Sequence, residues 1–282
     1  LSSKETIISC GALDTPKLLL ISGIGPKAHL SEVGVDCKVD LPGVGSNLKD
    51  HPLNIMLYKT RDSLDPDLQD IVVSFFRDEK LLESAEAALV SPEDKRLLAR
   101  PTVAMFEVAS AFNFPPGAPV AEPNVAFFCI GMAPQSTGTV RLASANPLDA
   151  PLCDPKFHSH QYDRKTAVSA IREVLDIVET GFNGQLTTPI SAPASKSDDS
   201  INSWLNDTLV SGWHMSSSVK MGVNDDKTAC VDSDFKLRGL NGLRVADMSV
   251  CPFLPNGHTA SMAYLVGFWA AERIAKDYNL HI

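Results

Sequence analysis

The sequence predicts a mixed α/β (α+β) fold in two parts, an α/β unit and a β-rich body with an antiparallel sheet flanked by helices. Three observations carry that expectation. The chain opens on strand–glycine–helix grammar, residues 102–145 switch to β-rich runs separated by Pro/Gly clusters, and an amphipathic helix follows. With 282 residues, 44% of them apolar and 21% charged, there is ample material for buried cores.

Glu5 to Cys10 (ETIISC) reads as a short buried strand ended by Gly11. Thr15-Pro16 then starts a helix, because proline in a first turn forfeits no hydrogen bond, and Gly23 with Gly25-Pro26 stops it. Residues 41–52 (LPGVGSNLKDHP) read as loop. NIMLYKT after them is strand-like, and the charged stretch 77–96 is expected to be a helical excursion on the surface. The runs VAMFEVASAF, VAFFCIGMA and TVRLASA are expected to share one sheet. Ala167, Val168, Ile171, Val174, Leu175 and Val178 recur at spacings of three and four, which places them on one helix face. Residues 183–200 read as loop, and a short helix is expected from Ile201 to Leu209. Leu243 to Ala246 is a short strand ending at Asp247. The helix Thr259–Ile274 is apolar nearly all round, so burial is expected.

The net charge of −9 argues against a nucleic-acid partner, and no uninterrupted apolar run is long enough to span a membrane. The six cysteines include no C-x-x-C, and no His/Cys cluster has zinc spacing, so no metal site is expected. Most of the cysteines sit beside apolar residues and read as buried thiols, with a disulfide left open. One glycosylation sequon, Asn206-Asp207-Thr208, carries little weight alone. The chain opens at Leu1 without a signal-peptide pattern and reads as a processed chain or a fragment, with any targeting signal upstream.

Two histidines stand out. His214 lies in a run from Gly212-Trp213 to Met221-Gly222, and His258 follows the turn Pro255-Asn256-Gly257 directly before Thr259 and the C-terminal helix. A histidine at a helix start faces free amides and the positive end of the dipole, where a developing anion is stabilised. Singly, each has an ordinary structural alternative, a surface histidine or a neighbour of turn residues. Asp247 at a strand end fits either a hydroxyl acceptor or a cap.

Gly11-Ala12-Leu13-Asp14-Thr15-Pro16 through Ser22-Gly23-Ile24-Gly25 resembles the second signature of the glucose–methanol–choline (GMC) oxidoreductase family. Gly43-Val44-Gly45-Ser46-Asn47-Leu48 with Asp50-His51-Pro52 is similar to that family's next loop. Trp213-His214 to Met221-Gly222 resembles its first histidine motif, and Leu243 through Asp247 to Asn256-Gly257-His258-Thr259 its closing flavin motif. The order is the family's own, and residues 53–135 match least. Two departures occur. Ser217-Ser218 stand where the family often has Gly-Thr, and no G-x-G-x-x-G for the FAD pyrophosphate is present.

The resemblance implies the C-terminal part of an FAD-binding Rossmann-like domain plus a substrate domain. Residues 1–52 and 206–282 would belong to the first and 53–205 to the second. It implies FAD as cofactor, a small-molecule alcohol as substrate, His214 as base and His258 as its partner, with those two roles exchangeable. Trp213, Asp247, Asn256, Gly257 and Thr259 would line the flavin. A lyase or cyclase keeping FAD only structurally, and an inactive truncated homologue, are the alternatives left open.

Overall fold

A computed structural model describes residues 4–60, 71–114, 123–181 and 186–281, and so excludes Leu1 and residues 183–185 of the expected loop. In chain order the elements are β1 (Thr6–Ile8), α1 (Gly11–Ile21), β2 (Ile24–Gly25), α2 (Lys27–Glu32), β3 (Val39–Asp40) and β4 (Pro52–Thr60). Next come β5 (Ile71–Phe76), α3 (Glu79–Leu82), α4 (Pro92–Leu98), β6 (Phe106–Phe112), β7 (Asn124–Gly131), β8 (Thr139–Arg141) and β9 (Leu152–Asp154). The chain ends with α5 (Gln161–Gly181), β10 (Leu186–Ser191), α6 (Asp198–Thr208), β11 (Val210–Ser211), β12 (Leu243–Val245) and α7 (Ala260–Tyr278). They form two compact units, one of residues 1–50, 136–157 and 213–282, the other of residues 51–135 and 158–212. Residues 136–157, grouped by the sequence with the intervening body, fall in the first unit.

The first unit joins the start of the chain to its end. β1 pairs in parallel with β12, Ile8 opposite Val245. Both side chains enter a core with Leu19 and Leu20 of α1, Val219, Val250, Val266 and Ala270. α1 begins at Gly11 rather than at Thr15, so Pro16 lies inside the helix. Its missing N–H leaves the Ala12 carbonyl without an intrahelical donor. The Ser218 hydroxyl donates to that carbonyl at 2.5 Å. The TVRLASA run does not join the large sheet. Its β8 forms a separate two-stranded ladder with β9, because residues 152–154 supply its partner edge.

The second unit is an antiparallel sheet in the order β10-β4-β7-β6-β5, with β11 also on β4. β4 alternates buried and half-buried residues along its whole length, the two-residue period of a strand with one face in the core. α5 lays Val168, Ile171, Val174 and Leu175 onto that core beside Met56, Phe127 and Cys129, the face its spacing predicts. Residues 186–191, expected to be loop, are the edge strand β10. Pairing with β4 overrides their weak local propensity, and an edge position tolerates Pro189. α6 starts three residues earlier than expected, because Ser197 caps it by accepting the Ser200 N–H. The charged stretch 77–96 is helical in short pieces, yet Leu81, Ala87 and Val90 reach the core.

α7 departs furthest from expectation. Val266, Ala270 and Ala275 are buried, whereas Tyr264, Leu265, Phe268 and Trp269 are exposed. One stripe of the helix has a core to pack on, and apolar composition alone does not supply one for the others. All six cysteines are free thiols. Cys129, Cys230 and Cys251 are buried, and burial pushes each up to about 12. Among the described residues no helix is long and apolar enough to cross a membrane.

Candidate active site

The run 212–222 is held in place by backbone. Lys49 and Ser216 exchange both of their N–H···O bonds, and Gly45 donates to the Ser218 carbonyl. On the other side Ser217, Val219 and Met221 donate to the carbonyls of Met248, Ser249 and Val250. The run is therefore stitched between the 41–50 loop and the turn after β12. Gly45 is required there: its φ is +69°, and a Cβ would collide with the Val140 carbonyl.

The histidine itself is set by a buried carboxylate. Asp50, 3% exposed, accepts the His214 backbone N–H at 2.8 Å. Trp213 adopts φ +59°, a left-handed conformation uncommon outside glycine and asparagine, which turns the chain into His214. Trp213 is 83% exposed, so core packing does not explain it. Ser217 also sits at positive φ, +69°, at the position where the family often has glycine. Ser218 keeps the hydroxyl of the family's threonine and uses it on Ala12.

His258 comes to His214 from the other motif. The turn is closed by the Gly257 N–H on the Pro255 carbonyl at 2.9 Å. The two imidazoles meet edge to face, ring centroids 4.8 Å apart and planes at 86°. Burial first, and then the charge that His258 would carry, hold the His214 pKa below the usual histidine value. A histidine so placed stays neutral near neutral pH, which a proton acceptor needs. Thr259 precedes α7 without capping it through its side chain, so the first amides of that 19-residue helix receive no bond from that residue.

Asp247 occupies a different place. Its carboxylate accepts the Thr15 hydroxyl at 2.6 Å, the Gly11 N–H at 3.1 Å and the Ser249 N–H at 2.7 Å. It ties the end of β12 to the start of α1. A carboxylate offers about four acceptor positions, so three protein donors leave room for one more. Of the residues singled out in sequence, the fold brings His214 and His258 into contact, with Trp213, Asn256, Gly257 and Thr259 adjacent to them in the chain. Asp50 and Ser218 were not singled out. Their signals lay inside quoted motifs, but their partners are 164 and 206 residues away. Among the described residues, no group of three or more His, Cys, Asp or Glu side chains could hold a metal ion.

The chain's own groups fit the part of a flavin that carries hydroxyls and a pyrimidine edge. A Cβ on Gly257 would meet no atom within 4 Å, and the amide end of α7 follows His258 directly in sequence. No phosphate-cradling G-x-G-x-x-G accompanies them in this sequence.

Comparison with known proteins gives a consistent result. Two family models, both described as GMC oxidoreductase, match residues 1–53 and 134–267, together well over half of the chain. The chain is 34% identical to a glucose methanol choline oxidoreductase of Aspergillus terreus, covering 98% of this chain and 48% of that protein. It is 30% identical to choline oxidase of Arthrobacter globiformis, covering 88% of this chain and 44% of that protein. Among solved structures, a variant of Aspergillus oryzae formate oxidase superposes with a TM-score of 0.84 at 24% identity, over 99% of this chain and 55% of its own. A fungal aryl-alcohol oxidase gives 0.78 at 22% identity, over 97% and 55%. The chain spans about half the length of the curated relatives it matches.

Proposed function

Because the chain belongs to the GMC oxidoreductase family, we propose that it carries the histidine half of an FAD-dependent oxidoreductase acting on the CH–OH group of a small alcohol. The observation that supports this best is the edge-to-face contact of His214 and His258 at 4.8 Å, with the His214 pKa lowered. Oxidising an alcohol removes a proton from oxygen and a hydride from carbon. Bound FAD is the two-electron acceptor for that hydride, chemistry no side chain supplies.

The chain's own part is the proton and the positioning. His214, kept neutral by burial, takes the hydroxyl proton. His258 donates a hydrogen bond to the substrate oxygen and stabilises the negative charge that develops there. With the two rings in edge-to-face contact, either imidazole is placed to carry the proton between turnovers. Trp213, Asn256, Gly257 and Thr259 would hold the flavin, with the α7 amides facing its anionic side. Asp247 would add one acceptor for a hydroxyl while keeping α1 in place.

The test is His214→Ala in the flavin-loaded protein, with anaerobic mixing against a panel of alcohols. Flavin absorbance is expected to be retained, while bleaching slows by about 10²–10⁴-fold. Bleaching at the unaltered rate would remove His214 from the base role. Bound flavin that no alcohol bleaches, in the unaltered protein, would favour a non-redox reading.

A further inference from the structure

The second unit buries a histidine that the proposed reaction does not use. His158 lies three residues before α5 and adopts φ +55°, in the left-handed region that residues other than glycine enter uncommonly. Its ring Nδ1 and Nε2 are both shut off from solvent, and neither makes a hydrogen bond to a described residue. Burial lowers the pKa of this ring to about 4, so it is neutral near neutral pH. A neutral imidazole carries one donor and one acceptor. Polar atoms buried in a fold are nearly always bonded, to protein or to ordered water, because otherwise their hydration is lost with nothing in return.

A small cavity has His158, Asp163 and Thr166 in its wall, and its volume, counted for the centre of a water molecule, is about 10 Å³. Phe106 of β6, Cys129 of β7 and Ile171 of α5 make much of the remaining wall apolar, and every lining residue belongs to the second unit. That volume is about what one water needs, and a buried water also needs about two to four polar partners. The wall supplies them. Asp163 is 4% exposed and accepts the Gln135 N–H at 2.8 Å, and a carboxylate accepts at about four positions. The Thr166 hydroxyl donates to the Tyr162 carbonyl at 3.0 Å, which leaves its oxygen able to accept. Other ligands fit worse. A ligand of several heavy atoms exceeds the volume. A metal ion would need more ligands, and among the described residues no group of three or more His, Cys, Asp or Glu side chains could hold one.

We propose that this cavity is a binding site for one resident water, hydrogen-bonded to the His158 ring and to Asp163 and Thr166 of α5. The water stands in for a direct bond between the ring and the helix. It ties the turn before α5 to the first two turns of that helix, whose inner face builds the core with β4 and β7. It also gives an inward-facing ring at a left-handed residue something to bind. The site is separate from the two histidines of the first unit and does not depend on the flavin reading.

Two measurements test this. A crystal structure of the chain, at a resolution that shows ordered water, is expected to place one water within hydrogen-bond distance of a His158 ring nitrogen and of Asp163 or Thr166. Oxygen-17 relaxation dispersion counts long-held waters in solution without confusing them with exchanging protons. Ala170→Val adds two methyl groups to the cavity wall, at a residue 2% exposed, and is expected to lower that count by one while circular dichroism is unchanged. Electron density showing no water in the cavity, or a ring nitrogen bonded directly to a protein atom, would overturn the proposal. So would a folded Ala170→Val protein with the parent's count. Should that variant not fold, the crystal structure of the unaltered chain decides alone.

Discussion

Replacing Asp50 by alanine removes the acceptor that fixes the backbone of His214. The bond is 2.8 Å long, its acceptor is 3% exposed, and Trp213 beside it is held at φ +59°. A hydrogen bond to a charged group contributes about 1.5–3 kcal/mol, and the His214 N–H left behind would lose its carboxylate partner. A loss of about 2 kcal/mol therefore follows, which for a protein of this size lowers the melting temperature by about 3–4 °C. Asp50→Asn keeps an oxygen for the N–H and is expected to recover most of it. Calorimetry gives the magnitude, and NMR titration of the His214 ring gives the specificity. In Asp50→Ala the ring is expected to loosen into solvent, so its pKa rises towards the ordinary histidine value, whereas Asp50→Asn leaves it depressed. If Asp50→Ala melted with the parent and its His214 titrated unchanged, the claim that this carboxylate positions the histidine would be wrong.

The paired serines give opposite signs. Ser217 sits at φ +69°, a conformation that costs a non-glycine residue about 1–2 kcal/mol, so Ser217→Gly is expected to stabilise by roughly 0.5 kcal/mol after its unfolded-state entropy. Ser218→Ala strands the Ala12 carbonyl and is expected to destabilise by about 1–3 kcal/mol; urea melts of the two variants check both signs. His158 supplies a pH dependence. Burial, opposed by Asp163 and reinforced by Arg164, lowers its pKa from 6.5 to about 4. The unfolded chain therefore binds the extra proton first, and stability present above pH 6.5 is lost as the pH falls towards 4. The full loss is about 3 kcal/mol, and a His158→Phe variant is expected to show a flatter melting profile between those limits.

The parts of the fold legible in sequence were those decided locally. α5 announced itself because its buried positions repeat at helical spacing over three turns, and α1 because a strand and glycines bracket it. β10 was not legible, since its residues are ordinary edge-strand material whose pairing is chosen by β4. β8 read as another strand of the large sheet because strand propensity does not say which strand is the neighbour. The outward side of α7 was misjudged because an apolar residue asks for burial but does not name what buries it. In the site, motif order pointed to the histidines. Asp50 and Ser218 act through bonds that cross more than half of the sequence, and no spacing rule reaches that far.

The pairing of β1 with β12 also sets a timetable. Thr6 to Ile8 lie against Leu243 to Val245, so β1 waits for a strand synthesised long after it. At translation rates of about 5–20 residues per second, the interval between them is on the order of ten to fifty seconds. The body built on β4, β5, β6 and β7 draws on residues 52–131 and can gather its strands during that wait. The core containing Ile8, Leu19 and Leu20 cannot close until Val245 and Val250 have been made. These residues emerge well before their partners and stay uncovered in the interval, which exposes this core to aggregation if synthesis stalls between the two strands.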